Sequence, residues 1–114
     1  MDELPVNPYP LSKEVYEALD DIKGKDARPT ADLLKAIADP ARIKIIDALG
    51  HRELCVCVLV DLTGLQYSAL SYHLKQLKDM ELVASDKDGN YLIYSLTKKG
   101  QRIKKFIQKL YDGQ

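Results

Sequence analysis

Cysteine and histidine are scarce in this chain, two of each among 114 residues, and the scarcity removes most enzymatic readings at once. There is no paired nucleophile and base, no glycine-rich loop able to cradle a phosphate, and no Cys-x-x-Cys of the redox-enzyme kind. The chain is not expected to be an enzyme. An excess of either charge is also missing: seventeen Lys and Arg balance seventeen Asp and Glu, so global electrostatics neither announces a nucleic-acid partner nor supports one. No apolar run is long enough to cross a bilayer, the N-terminus is acidic, and no signal-like apolar region follows it. A soluble cytoplasmic protein with no membrane partner and no required cofactor is the expectation.

What is present suits one small core. Hydrophobic residues make up 46% of the chain, enough for a single domain and too many for disorder. The two cysteines, Cys55 and Cys57, are separated by one residue. A bridge between them would close only a tiny, strained loop, which favours free thiols in a reducing compartment with ligand or redox chemistry. Charge is unevenly spread. Lys98, Lys99, Arg102, Lys104, Lys105 and Lys109 face only Asp112 in the last seventeen residues, whereas the first thirty carry seven acids against four bases. A solvated helix face accounts for the basic end as well as a binding surface does.

Residues 1–10 hold Pro5, Pro8 and Pro10 and read as a flexible arm; residues 11–112 read as the domain. Leu11, Val15, Leu19 and Ile22 recur at helical spacing until Gly24. Thr30 is placed to cap a short helix over Ala31–Ala38, and Asp39-Pro40 opens another that stops at Gly50. Cys55–Leu62 reads as a short apolar helix, Thr63-Gly64-Leu65 as a turn, and Gln66–Met80 as a longer helix with Leu70, Leu74 and Leu77 as its buried stripe. Leu82–Asp86 and Tyr91–Leu96 alternate like strands, with Asp88-Gly89-Asn90 between them. Thr97 caps a last helix whose Ile103, Phe106, Ile107 and Leu110 lie opposite its lysines. The expected fold class is mainly α with a β-hairpin wing, a winged helix-turn-helix. The amphipathic first and last helices lie at the periphery, and packing them across a two-fold axis would bury both, giving a homodimer with two recognition helices for a palindromic duplex.

On the long helix, Ser68, Ser71, Tyr72 and Lys75 project away from the leucines and His73 lies at the stripe's border, placed to pack or hydrogen-bond inward. Short hydroxyls, an aromatic donor and a lysine are what base edges and phosphates require. Gln66 and Tyr67 at the helix start reach bases or backbone, and Lys87 and Asn90 in the hairpin reach the minor groove or its phosphates. Asp86 and Asp88 oppose strong contact there. The candidate DNA-binding set is therefore Gln66, Tyr67, Ser68, Ser71, Tyr72, His73, Lys75, Lys87 and Asn90; the alternative is an ordinary polar helix face.

Ala38-Asp39-Pro40-Ala41-Arg42, the run Glu53-Leu-Cys-Val-Cys57, and Ser68-Ala-Leu-Ser71-Tyr-His73-Leu-Lys-Gln-Leu77 followed by Leu82-Val83 together closely resemble the ArsR/SmtB family of winged-helix metalloregulatory repressors, over about residues 30 to 110. The resemblance implies a dimer that leaves its operator when a soft metal or metalloid binds. It implies metal ligation by Cys55 and Cys57, with As(III), Sb(III), Cd(II) or Zn(II) as inducer. The chain departs from the family's arsenic sensors in having Val60 where they carry a third cysteine. The cadmium and lead sensors' N-terminal cysteines are missing too, and the last helix has no His and only Asp112 for the family's second site. Two thiolates leave As(III), Zn(II) or Cd(II) short of ligands, so a non-protein thiol, water, Asp61 or His51 has to complete the shell. Both thiols, at a helix N-terminus, are expected to ionise readily. Two other readings stay open: a regulator whose thiols answer oxidant, disulfide or persulfide or nothing, and a winged-helix module for protein assembly.

Overall fold

The computed structural model describes residues 9–113; of the arm expected over residues 1–10, all but Tyr9 and Pro10 lies outside the described residues. The order of elements is α1 (Lys13–Gly24), α2 (Arg28–Ile37), α3 (Pro40–Leu49), β1 (Leu54–Cys55), α4 (Val56–Thr63), α5 (Tyr67–Asp79), β2 (Val83–Asp88), β3 (Tyr91–Leu96) and α6 (Lys98–Asp112). This is a winged helix-turn-helix, mainly α with a small antiparallel sheet in the order β1-β3-β2.

Local chemistry accounts for most boundaries. Asp39 Oδ1 accepts the N–H groups of Ala41 at 2.9 Å and Arg42 at 3.2 Å, and Pro40 at the first helical position gives up no bond. Thr97 Oγ1 accepts the N–H of Gly100 at 3.0 Å. Gly64, at φ +69°, ends α4 in the left-handed conformation that a residue without Cβ adopts freely. Three expectations need correction. Thr30 does not cap α2: the helix begins earlier, at Arg28, where Asp26 accepts the Arg28 N–H at 3.1 Å and Pro29 sits in the first turn with no N–H to satisfy. Cys55 is not helical; it pairs with Ile93 in the sheet and caps α4 from outside. The second strand starts at Val83 and continues to Asp88, which pairs with Tyr91, so that only Gly89 and Asn90 turn the hairpin.

The core joins Ile37, Ile45, Ile46 and Leu49 of α2 and α3 to Leu59, Leu70, Leu74 and Leu77 of the helix-turn-helix, and to Leu82, Val83, Tyr94 and Ile107 behind the wing. The expected stripe of α5 is fully inside. By contrast α1 buries none of its residues: Val15, Tyr16, Leu19 and Ile22 are exposed, as are Phe106 and Leu110 of α6. Leu34, Ile43, Phe106, Leu110 and Tyr111 line an open apolar groove between α2, α3 and α6.

One close approach fixes how α6 meets the wing. Gly100 is buried, and a methyl there would run into the Leu82 carbonyl oxygen and sit 3.1 Å from Leu96 Cδ2. Alanine ordinarily favours a helix interior by about 1 kcal/mol over glycine, but backbone cannot yield as a side chain can. Gly100→Ala is expected to destabilise the fold by about 1–3 kcal/mol, as a lower midpoint of denaturant unfolding. Gly50→Ala, whose methyl would meet only the flexible Lys104 side chain, serves as the control. Equal midpoints for the two variants would contradict this packing.

Candidate functional site

The rotation of α5 is set by its leucines. With Leu70, Leu74 and Leu77 at 0–2% exposure, the other side of the helix has to face solvent, and Gln66, Tyr67, Ser68, Ser71, Tyr72 and Lys75 are all exposed. Gln66 occupies the N-cap position but makes no side-chain cap bond, so the first-turn N–H groups lack the usual side-chain acceptor at the positive end of the helix dipole. Lys75 is less free than the sequence suggests: Nζ lies 2.9 Å from Asp79 Oδ2, one turn on. At such exposure the pair is weak and yields readily to a phosphate.

His73 stands apart from this set. Its side chain is 17% exposed and turned toward α3, where Nδ1 accepts from Arg42 Nε at 2.9 Å. Lys87 and Asn90 are exposed on the wing, and the Asp86 carboxylate beside them accepts the Lys87 backbone N–H at 2.8 Å. Two anchoring residues were not singled out from sequence. Lys78 reaches from α5 to Ser85 of β2, Nζ to Oγ 2.7 Å, tying the helix to the wing. Arg42 of α3 ties that helix to α5 in the same way, at His73. Long-range side-chain partners of this kind leave no periodic trace in a sequence.

At the other end of the helix-turn-helix, Cys55 Sγ accepts the Cys57 N–H at 3.3 Å. Both thiols are free; Cys57 is exposed and Cys55 half-buried. The Cys57 thiol and its backbone N–H, both directed at Cys55, hold Cys55 below the ordinary thiol value, and the same pairing pushes Cys57 up. Easy ionisation was expected of both; it holds for Cys55 alone, because a sulfur that donates to its neighbour keeps its own proton. Among the described residues, no group of three or more His, Cys, Asp or Glu side chains is arranged to hold a metal ion. Among the described residues, His51 and Asp61 therefore do not join the two sulfurs in such a group.

The asymmetry of the thiols is open to test. Iodoacetamide at neutral pH should label Cys55 ahead of Cys57, and Cys57→Ala, which removes a donor, should move the onset of Cys55 labelling to higher pH. Peptide mass spectrometry across pH reads both; equal labelling of the two sulfurs at every pH would contradict the pairing.

Comparison with known proteins places this geometry. The family described as "Bacterial regulatory protein, arsR family" matches residues 39–85, the stretch from the cap of α3 to the first residues of β2. The arsenical resistance operon repressor of Staphylococcus xylosus is 42% identical over 64 residues, 56% of this chain and 62% of that protein; the chain thus spans less than two thirds of that relative's length. The transcriptional repressor SmtB homolog of Synechocystis is 33% identical over 98 residues, covering 83% of this chain and 74% of that protein. Among solved structures, the homodimeric winged helix-turn-helix DNA-binding domain of a possible ArsR-family regulator from Mycobacterium bovis superposes with a TM-score of 0.67 at 25% identity, over 90% of this chain and 88% of that one. The family and the fold are those of regulators that bind DNA, not of enzymes: this chain belongs to the ArsR family of bacterial regulatory proteins.

Proposed function

We propose that the protein is a transcriptional repressor that binds a palindromic duplex operator as a homodimer, and that the signal releasing it is received at Cys55 and Cys57. The observation that carries the reading is the outer face of α5: Gln66, Tyr67, Ser68, Ser71, Tyr72 and Lys75 exposed together beside an uncapped helix start. An α-helix fits the major groove, hydroxyls and amides there meet base edges, and N–H groups and lysine meet phosphate. Lys87 and Asn90 on the wing reach the neighbouring backbone or minor groove.

Association of two copies is supported by what the chain leaves uncovered. The apolar side of α1 has no cover among the described residues, and α6 with α2 and α3 presents an apolar groove. Exposed apolar area of this kind marks an interaction surface, and the relative from Mycobacterium bovis is described as homodimeric. A two-fold dimer through the first and last helices covers these faces and gives each half-site its own α5.

The release step follows from where Cys55 sits. The residue is at once a rung of the sheet, paired with Ile93, and the sulfur cap of α4. Chemistry that occupies its sulfur removes the cap, a change of about 1 kcal/mol for ordinary N-caps, and α4 braces α5. The favoured inducer is a thiophilic metalloid or metal, arsenite-like, with a small thiol or water completing its shell; the Staphylococcus xylosus relative is named for arsenical resistance. A second reading, thiol oxidation, is favoured by the lowered Cys55 and by the lack of a third protein donor among the described residues.

Fluorescence anisotropy of the reduced protein on a labelled duplex from its own promoter tests both halves. Binding is expected to weaken as salt rises, and As(III), Cd(II) or Zn(II) should release the wild type but not the Cys55→Ser/Cys57→Ser double variant. Release by peroxide or a persulfide and by none of the ions would move the signal to thiol oxidation. Absence of salt-sensitive duplex binding would sink the repressor reading and leave a protein-assembly module. Independently, Leu19→Glu in α1 or Leu110→Glu in α6 should convert the dimer to a monomer in size-exclusion chromatography with light scattering. Operator affinity should then fall about a hundredfold or more; persistence of the dimer would remove these faces from the interface.

A further inference from the structure

The side chain of Arg42 makes an unusual set of contacts for a residue at the start of a helix. It occupies the third position of α3, half-buried, with its own N–H on Asp39. Its Nε donates to His73 Nδ1 at 2.9 Å and its Nη1 to the Ala36 carbonyl at 3.1 Å. Above the same guanidinium lies Tyr72, ring centroid 5.7 Å from Cζ. His73 meets that ring edge-on, centroids 5.7 Å apart and planes at 67°. One side chain thus touches the end of α2, the middle of α5 and, through its backbone, the cap of α3.

Arginine has only donors, so Nδ1 is the acceptor in this contact. The Asp39 carboxylate oxygen 3.9 Å from Nδ1 accepts the N–H groups of the helix cap. Two of the guanidinium's five N–H groups are directed inward, and a tyrosine lies against its face. Tyr72 itself remains 57% exposed on the face that the operator would meet.

We propose that Arg42 and His73 are positioning residues for DNA readout: they hold the Tyr72 ring in one orientation on the outer face of α5 and lock that helix to α3, without touching the nucleic acid. The proposal rests on the DNA-binding reading above. Clamping matters because a tyrosine free to rotate would meet several base steps with similar energy, whereas a ring packed against the hydrogen-bonded Arg42–His73 pair has fewer poses open to it. Discrimination between operator and unrelated duplex should then depend on the clamp, while the number of phosphates neutralised should not.

The test measures affinity of the full chain for operator and for scrambled duplex across salt. The variants are Arg42→Lys, Arg42→Ala, His73→Leu, His73→Asn and Tyr72→Ala. Arg42→Lys keeps the charge and loses the fork; His73→Asn puts an amide oxygen where Nδ1 accepts, and His73→Leu does not. The operator-to-scrambled ratio is expected to fall about tenfold with Arg42→Lys and His73→Leu, to stay near wild type with His73→Asn, and to fall no further when Arg42→Lys is added to Tyr72→Ala. The salt slope should stay that of the wild type throughout. A slope reduced by about one in Arg42→Ala, with Arg42→Lys behaving as wild type, would make Arg42 a phosphate ligand and overturn the proposal. Equal loss on both duplexes, which marks a folding defect, or additive effects of Arg42→Lys and Tyr72→Ala, would overturn it as well. Wild-type protein that binds neither duplex with salt sensitivity would instead bring down the DNA-binding reading itself.

Discussion

Burial of three leucines governs everything this molecule presents to a partner. Leu70, Leu74 and Leu77 of α5 lie almost wholly out of solvent, each contributing about 1.5–3 kcal/mol relative to an exposed position. A helix so anchored cannot roll about its axis without exposing one of them. The outward direction of Ser68, Ser71 and Tyr72 is therefore a consequence of the core, not of any polar contact they make. Polar contacts refine that placement: Lys78 to Ser85 fixes the wing against α5, and Arg42 to His73 fixes α3 against it.

The same division between apolar anchoring and polar trimming recurs at Cys55. Leu54 and Leu59 on either side pack on or into the core, which holds the junction of β1 and α4 in place, while the sulfur performs the capping that serine or aspartate performs elsewhere in the chain. Sulfur is a weaker acceptor than oxygen, so this cap is the most easily surrendered of the four side-chain caps described here, at Ser12, Asp39, Cys55 and Thr97. A signal received there acts on the weakest of the four side-chain-capped helix starts.

Much of this was legible in the residues. Period-three-and-four spacing marked α5 and α6, Asp39-Pro40 marked α3, and the pair of alternating runs around Gly89 marked the hairpin, because each rests on local chemistry that a short window contains. Thr30 misled because Asp26 and Pro29 together open α2 sooner than a lone threonine would suggest. Glu81 was invisible: it adopts φ +60° between α5 and β2, where glycine is the usual choice, and its carbonyl is held by the Thr97 hydroxyl at 2.6 Å, sixteen residues on. Arg42 and the asymmetry of the two thiols were hidden for the same reason, since each depends on a partner's direction in space rather than on its separation in sequence. His73 at the edge of the stripe was readable as an inward hydrogen-bonder, but its partner was not.

The twelve residues of α1 form a helix with no buried side chain, shorter than or barely as long as what water alone supports, since isolated helices below about 12–15 residues are marginal. Ser12 and the exposed Lys13–Glu17 pair together add only about 1 kcal/mol. The order of this segment is thus borrowed from whatever surface its apolar side rests on. In the proposed dimer its helicity would follow how often that surface is occupied, and so protein concentration, which would make the start of the domain a gauge of assembly rather than a fixed part of the fold.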